Sequence, residues 1–454
     1  MNIHLSTLLK DASSFNARQQ AGKGPEDKFN RTEQIVSVVG LLLERASMLG
    51  VNLSYANDGV YVYDGSHHIV LDKEDFKNFL GEYSHTVGIR GAEASYFLFR
   101  GDLLRQFEST AYRTAPLRDP GTTLIPLRNG TLEITATKQN LRRHRQEDFL
   151  TYLLPFDYDP AAVPFRFKAF LDQVLPDKDL QSIIQEYVGS GFIPSGMMRL
   201  EKLLMLHGSG ANGKSVLLSI ISAMVGRSNI SEFSLDKITD EAGYYRAQAQ
   251  GKLFNICSET PRRIGDNAIL KQWASGEPIA VRHPYRPPAM MENPPRLIFS
   301  SNELPVDVEH SDGFFRRWAI IPFNVTIPEA KQDRSLAARI IASELSGVLN
   351  WVLQGLQRLQ RQGGALTDSP VMRDQIASFR RQSDTVLSFL GDCSWQQSRV
   401  NYRPLKEVYA SYRIYCEESG HRPCSISTFS QRLKSAGYEA KRIAQGNVIY
   451  IEAA

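Results

Sequence analysis

One stretch of the sequence combines glycine, lysine and serine in an order that suits phosphate binding. Residues 208–215 match the pattern G-x-x-x-x-G-K-[ST] of a phosphate-binding loop. Its glycines let backbone N–H groups approach phosphate oxygens, its lysine can reach the β- and γ-phosphates of ATP, and its serine hydroxyl can ligate Mg²⁺. The alternative is a glycine-rich turn with a chance lysine. The expected nucleotide-binding residues are Gly208, Ser209, Gly210, Ala211, Asn212, Gly213, Lys214 and Ser215.

Such a loop works only between a buried strand and the start of a helix. The apolar residues 203–206 predict the strand, and residues 216–225 predict the helix, whose N-terminus adds partial positive charge. Residues 252–259 predict a second strand that ends in Glu259, where a carboxylate of the Walker B type could polarise the attacking water and help to hold the metal. Residues 296–302 predict a third strand, and Asn302 at its end could sense the γ-phosphate.

Two adjacent arginines, Arg316 and Arg317, come directly before a further apolar strand. In an oligomeric ATPase an arginine can reach the nucleotide of the neighbouring subunit and offset the charge that develops in the transition state. The alternative is an ordinary surface pair.

The segment 276–288 predicts a short strand that runs into a proline-rich loop. The loop interleaves cations with an aromatic ring, which suits contacts with a nucleic-acid backbone and a stacked base. A solvated loop explains the composition equally well. The candidate DNA contacts are Arg282, His283, Tyr285 and Arg286.

The C-terminal residues predict two helices, 405–418 and 425–437, followed by strands over 438–443 and 448–451. This order suggests a winged-helix DNA-binding domain, with a winged helix used for protein contacts as the alternative. Residues 402–454 hold eight Lys/Arg and five Asp/Glu, a mild basic excess. The expected DNA contacts of this domain are Arg432, Lys434, Lys441 and Arg442.

The first 160 residues offer less chemistry. They predict helices over 30–49 and 73–83, and hairpins over 60–71 and over 124–134, the latter with Asn129-Gly130 at its tip. The pair His67-His68 could suggest a metal, but a solvated turn is favoured.

Two carboxylates, Asp157 and Asp159, could also hold a metal if they lay on one face of a strand. The favoured alternative is a turn that enters a helix, with Asp159-Pro160 as its cap. Residues 165–191 then predict helix.

Composition limits the function classes. The 454 residues, with 42% hydrophobic and 22% charged side chains, are typical of a multidomain globular protein. No apolar run is long enough to span a membrane, and the N-terminus lacks a signal-peptide pattern. Four cysteines without zinc-site spacing suggest a reducing compartment, and a net charge of +4 permits nucleic-acid binding.

The order of these motifs resembles that of the superfamily 3 helicases. Within them it is most similar to the phage and plasmid primase–helicases related to the poxvirus primase–helicase. Further stretches that resemble the family are Asn129-Gly130, 156–160, 186–189 and 344–355. The resemblance covers roughly residues 120–454.

This resemblance implies an α/β protein with an AAA+ P-loop ATPase core that assembles as a ring, commonly a hexamer. It implies a helicase that uses ATP and Mg²⁺ to move along single-stranded or forked DNA, usually 3′ to 5′, in the cytoplasm of a bacterial host. By this resemblance Glu259 activates water and Asn302 senses the γ-phosphate. Arg317, six residues before Phe323, is preferred over Arg316 as the arginine finger.

The chain departs from the family in two ways. Ser258 stands where relatives often carry a second Walker B acid, and the first 120 residues are too short for a full primase domain. The expected layout is an α+β N-terminal domain (1–120), a mostly helical lead-in (121–195), the ATPase core (196–364), a connector (365–400) and the winged helix (401–454).

We therefore expect a replicative DNA helicase of a phage, plasmid or genomic island. The alternative is an initiator or loader that binds origin duplex DNA through its winged helix and uses its ATPase for assembly. Neither reading requires a membrane.

Overall fold

The computed structural model describes residues 3–114, 116, 119–258, 264–284, 287–305, 308–443 and 446–453. The chain divides into two compact units, Met1–Ala161 and Ala162–Ala454. The first of these units extends beyond the expected N-terminal domain of residues 1–120.

The first unit combines six described α-helices with two three-stranded antiparallel sheets, β1-β2-β3 and β4-β5-β6. Its helices are α1 (Ile3–Ala12), α2 (Ala17–Gln20), α3 (Arg31–Met48), α4 (Lys73–Thr86), α5 (Gly91–Ser95) and α6 (Phe97–Thr110). Its strands are β1 (Asn52–Ala56), β2 (Gly59–Tyr63), β3 (His68–Leu71), β4 (Thr123–Leu127), β5 (Gly130–Ile134) and β6 (Gln139–Arg142).

The sequence predicted the start of a helix accurately where a capping signal is present. Helix α3 begins within one residue of the predicted start, because Asn30 and Glu33 form a reciprocal capping box. The sheet β4-β5-β6 occupies part of the region expected to be mostly helical. Its tip is also displaced by one residue, since Leu127 pairs with Gly130 and leaves Arg128-Asn129 as the turn.

Two predictions about polar residues in this unit were wrong. His68 is 1% exposed and lies between the rings of Tyr63 and Phe149, so it is not a solvated turn residue. Asp159 forms a local turn by accepting from the N–H of Ala161, but it caps no helix. Among the described residues no group of three or more His, Cys, Asp or Glu is arranged to hold a metal ion.

The second unit is larger and is organised around a five-stranded sheet. Its described helices are α7 (Phe165–Val174), α8 (Lys178–Ser190), α9 (Lys214–Val225), α10 (Leu235–Ile238), α11 (Tyr244–Gln248), α12 (Asn267–Ser275), α13 (Asp312–Phe315), α14 (Leu336–Ser343), α15 (Leu345–Arg361), α16 (Pro370–Gln382), α17 (Thr385–Asp392), α18 (Leu405–Glu418) and α19 (Ile426–Ser435). Its strands are β7 (Leu203–His207), β8 (Ile230–Ser231), β9 (Phe254–Cys257), β10 (Ile279–Val281), β11 (Ala289–Met291), β12 (Arg296–Ser301), β13 (Trp318–Pro322), β14 (Trp395–Gln397), β15 (Arg403–Pro404), β16 (Ala440–Ile443), β17 (Gly446–Ile449) and β18 (Ile451–Ala453).

The central sheet has the strand order β13-β7-β12-β9-β8, and every neighbouring pair is parallel. Residues 203–206 of β7 are fully buried, as expected for a strand covered on both faces. Because all strands point the same way, their carboxyl ends meet at one edge, where ligands bind in open parallel sheets.

Helices α8 and α15 pack against each other at very short range. A Cβ on Gly355 would lie 2.4 Å from Gln185, and one on Gly189 would lie 2.9 Å from the backbone of Leu356. The two stretches that resemble the family, 186–189 and 344–355, are therefore partners in one helix contact.

The region 365–400, expected to be a connector with some helix, contains α16 and α17. Helix α16 covers the sheet, with Phe379 packed against Trp318, Phe314 and Phe315. Beyond it, α18, α19 and the sheet β15-β17-β16 follow the predicted order of two helices and a hairpin. Phe389, Tyr412 and Phe429 form the aromatic centre of their core.

No single helix among the described residues is long and apolar enough to cross a membrane. The segments Glu329–Ser343 and Leu345–Arg361 satisfy length and composition only when taken together, and they are bent by 81°.

Candidate active site

The loop 208–215 leaves β7 at the carboxyl edge of the sheet and leads into α9. A Cβ on Gly208 would lie 2.3 Å from the carbonyl oxygen of Phe323, and Asn212 donates to the same oxygen at 2.9 Å. Gly213 has a φ of +85°, and a Cβ there would lie 2.9 Å from Phe170 and Val174. Both glycines are thus required by close approach, and the loop is held in one shape.

Lys214 is 6% exposed and is held by oxygens of its own loop. Its Nζ donates to the carbonyl oxygen of Gly208 at 2.6 Å, to Oδ1 of Asn212 at 3.0 Å and to Oδ1 of Asn302 at 3.2 Å. Burial lowers the pKa of Lys214. The ammonium is therefore positioned and only partly solvated, a setting in which phosphate oxygens are strong competing acceptors.

Asn302 comes directly after β12, the neighbour of β7 in the sheet, and this order brings it to Lys214 across 88 residues of chain. Ser258 lies at the end of the next strand, β9, and is exposed towards the same cleft. Glu259, the expected Walker B acid, lies outside the described residues.

The loop opens onto a cleft of about 1190 Å³. Ser215, the second residue of α9, is exposed and lines this cleft. Glu303, which belongs to no sequence motif, lines it as well. Oxygen donors from Ser215 and from the ends of β9 and β12 are of the kind that Mg²⁺ accepts. The residues present therefore fit the expected metal.

The far wall of this cleft was not predicted at all. It consists of one face of α7, the segment that leads into α14 and the first turn of α14. Its members are Arg166, Ala169, Phe170, Gln173, Ile327, Lys331, Gln332, Asp333, Arg334, Leu336 and Arg339. No short motif marks these residues, and only the tertiary structure places them beside the loop.

A buried carboxylate fixes the start of this wall. Glu344, 7% exposed, accepts from the backbone N–H groups of Arg166 at 3.1 Å and Phe167 at 3.0 Å, and it pairs with the Arg166 guanidinium at 3.3 Å. It therefore caps α7 in place of the expected Asp159.

The arginine pair lies at the opposite edge of the sheet. β13 runs parallel to β7 with Trp318 beside Leu203 and Pro322 beside His207, and the N–H of Leu203 donates to the carbonyl oxygen of Arg317 at 2.8 Å. The five residues of β7 separate Arg317, beside the start of this strand, from the phosphate loop at its end. At 3.3 Å per residue this distance is about 16 Å. Neither side chain can span this distance to the loop of its own chain.

The predicted hairpin is present as β10 paired with β11. Arg282 is exposed and stands over the ring of Tyr244 at 6.0 Å, and His283 is half-buried. Tyr285 and Arg286 lie outside the described residues.

In the C-terminal region Lys434, Lys441 and Arg442 are exposed, with Lys441 paired to Glu439 at 2.9 Å. Arg432 differs: its side chain is 17% exposed and pairs with Asp384 at 3.2 Å. That arginine is occupied by an intramolecular ion pair, so the structure does not present it as a free surface cation.

Three family models match parts of the chain. A model described as "D5 N terminal like" matches residues 99–176, "Poxvirus D5 protein-like" matches 381–449, and "Family of unknown function (DUF5906)" matches 206–317. The last of these contains the phosphate loop, the hairpin and the arginine pair.

Among curated proteins, the "Putative helicase L207/L206" of Acanthamoeba polyphaga mimivirus is 22% identical over 323 residues. The match covers 65% of this chain and 33% of that protein, so the chain spans about a third of the length of this relative.

Two solved structures of the NrS-1 C-terminal region resemble the chain with 12% identity and TM-scores of 0.48 and 0.47. They cover 92% and 93% of this chain, and 100% and 99% of their own. At these TM-scores they assign neither a fold nor a function.

Proposed function

We propose that the chain is an ATP-dependent DNA helicase that acts in replication. The premise is its relation to the phage and poxvirus primase–helicases, a resemblance that the family matches confirm. The protein acts as a ring of identical chains with an AAA+ type core. ATP binds between neighbouring copies, and its hydrolysis moves single-stranded DNA, 3′ to 5′, through the ring.

One observation carries the proposal most directly. The lysine of the phosphate loop and the amide at the end of the adjacent strand meet at 3.2 Å, beside a cleft large enough for a nucleotide. A γ-phosphate bound next to Lys214 and Asn302 could be contacted by both, so its presence or loss could be sensed at the end of β12.

Further residues of the chain have roles in the proposed reaction. Backbone N–H groups of 208–213 and the N-terminus of α9 bind the phosphates. Ser215 and Glu259 would hold Mg²⁺, which would supply positive charge against that of the phosphates. Glu259 orients and activates the attacking water.

The arginine geometry supports action between copies. Because Arg316 and Arg317 lie a full strand length from the loop of their own chain, they could contact a triphosphate only on a neighbouring chain. Such an interface joins unlike surfaces, and a contact of that kind closes into a ring when the rotation fits.

DNA contacts are proposed at two places. Arg282 and His283, which follow β10, are proposed to contact the single strand in the ring, and the sequence adds Tyr285 and Arg286 to this proposal. The module 401–454 acts as a winged helix on duplex DNA through the exposed Lys434, Lys441 and Arg442.

The proposal is tested by purified protein with a forked DNA, ATP and Mg²⁺. Wild type is expected to hydrolyse ATP, to do so faster with single-stranded DNA and to separate the strands. Lys214→Ala is expected to lose all three, and Lys77→Ala, in the first unit, to keep them. Equal ATPase rates in wild type and Lys214→Ala would refute the proposal.

The same assay tests the alternative, an initiator or loader that remodels origin DNA. The C-terminal helices and hairpin favour keeping this candidate. The initiator or loader would be supported if the protein bound duplex DNA sequence-specifically and hydrolysed ATP, but separated the strands of no forked DNA of either polarity.

A further inference from the structure

The two adjacent arginines have different surroundings. Arg316 is exposed, and its one described side-chain partner is Glu201, with Nη2 at 3.2 Å from Oε2 and with side-chain exposures of 61% and 44%. Such a solvated pair is easily exchanged for another anion, because solvent and salt already screen it.

Arg317 is instead held inside its own chain. Its Nη1 donates to the carbonyl oxygen of Gly313 at 2.5 Å, and its Nη2 donates to Oγ of Ser275 at 3.2 Å. Ser275 is 3% exposed, so withdrawing the guanidinium would leave a buried hydroxyl without this partner. Arg317 is therefore poorly placed to leave its site for a neighbouring nucleotide.

The partner of Arg317 has a particular place in the chain. Ser275 is the last residue of α12, Gly276 ends that helix in a left-handed conformation, and β10 of the DNA hairpin begins at Ile279. The Arg317–Ser275 bond thus joins the turn that carries both arginines to the helix that leads into the hairpin.

A second bridge runs beside the first. Lys271, one turn earlier on α12, pairs with Glu309 at 2.6 Å, and Glu309 accepts from the hydroxyl of Ser311 at 2.6 Å. Ser311 caps α13, the helix immediately before the arginines. A displacement of the hairpin would therefore be transmitted to the arginine turn through two polar links.

We propose that Arg316 contacts the triphosphate on the neighbouring copy, an inference that rests on the proposed function. Arg317 is instead a positioning residue that, with Ser275, couples the hairpin β10–β11 to Arg316. This reverses the preference drawn from the sequence. Glu201 holds Arg316 until a phosphate on the adjacent chain replaces it.

The test measures kcat and KM for ATP with and without single-stranded DNA. Arg316→Ala is expected to lower kcat by about a thousandfold or more, the usual effect of losing an arginine finger, and to leave ATP binding unchanged. Arg373→Ala is a matched control, since it removes another exposed, ion-paired arginine far along the chain, and it is expected to match wild type.

The coupling is tested separately by Ser275→Ala, which removes only one hydroxyl. It is expected to keep the DNA-free kcat within about threefold of wild type while the stimulation by DNA falls, with only the share carried by the Lys271–Glu309 bridge remaining. Arg317→Lys is expected to reduce that stimulation by the same factor, and the double variant by no more than either, because both break one link.

The outcomes separate the inference from the proposed function. A wild type without DNA-stimulated turnover would refute the proposed function. Normal ATP turnover in Arg316→Ala, together with loss of turnover in Arg317→Ala, would overturn the assignment of Arg316. Unchanged stimulation by DNA in Ser275→Ala would overturn the coupling. Fluorescent-nucleotide binding by every variant distinguishes these results from misfolding.

Discussion

If the arginines act only on a neighbouring chain, two inactive variants should restore activity to each other. One variant is Lys214→Ala, which lacks a working loop, and the other is the double substitution Arg316→Ala/Arg317→Ala. A mixed assembly contains interfaces where an intact loop of the second variant faces intact arginines of the first. The test does not depend on which of the two arginines makes the contact.

The magnitude follows from geometry and counting. Arg316 and Arg317 lie about 16 Å from the phosphate loop of their own chain, measured along β13 and β7. No chain can therefore complete its own ATP site. In an equal mixture that assembles at random, half of the loops and half of the arginine turns are intact, so about one quarter of the interfaces are complete. We expect about a quarter of the wild-type ATPase rate per chain, against a thousandfold or greater loss for each variant alone.

The assay co-expresses the two variants with different affinity tags, selects assemblies that carry both and measures ATP turnover. The matched control mixes the double variant with the triple variant Lys214→Ala/Arg316→Ala/Arg317→Ala, which should stay inactive. Doubly tagged assemblies with no turnover above that control would refute action between chains.

Three further predictions concern stability. Burial lowers the pKa of His68 to about 4, so the folded chain binds fewer protons than the unfolded chain between pH 6.5 and 4. In urea unfolding, the stability that neutral His68 contributes should be complete above pH 6.5 and should fall by up to about 3 kcal/mol towards pH 4. His68→Gln should lack this share of the loss and keep the share of His144, His207 and His310, whose pKa values burial also lowers. Gly213→Ala should cost about 1–3 kcal/mol in urea unfolding, because its φ is +85°, whereas Gly210→Ala, with open space around it, should cost little. Glu344→Ala should lower the free energy of unfolding by about 1–2 kcal/mol, because it removes the cap of α7, and it should weaken fluorescent-nucleotide binding. The control Glu329→Ala, at an exposed position, should change neither quantity. A Glu344 variant as stable as wild type would contradict the capping role.

Local features of this protein were accessible from residue order. The phosphate loop needs only eight consecutive residues between an apolar strand and a helix, and the structure has that strand and helix at β7 and α9. The capping box of α3 and the helices near the C-terminus were likewise predictable, because capping and periodicity act over one or two turns.

Contacts between distant segments were decided only by the tertiary structure. Arg432 was expected on a DNA-binding surface, yet α17 brings Asp384 to it, and His68 was expected in solvent, yet two aromatic rings cover it. Nothing in the residues near either side chain indicates its partner.

The sequence by itself determined the chemistry of the loop and the existence of the strands that flank it. The tertiary structure decided that Asn302 meets Lys214, that Glu344 caps α7 and that the arginine pair lies at the far edge of the sheet. The physical reason is that strand order and direction set these distances, and they depend on how the whole sheet packs, which no short stretch of residues specifies.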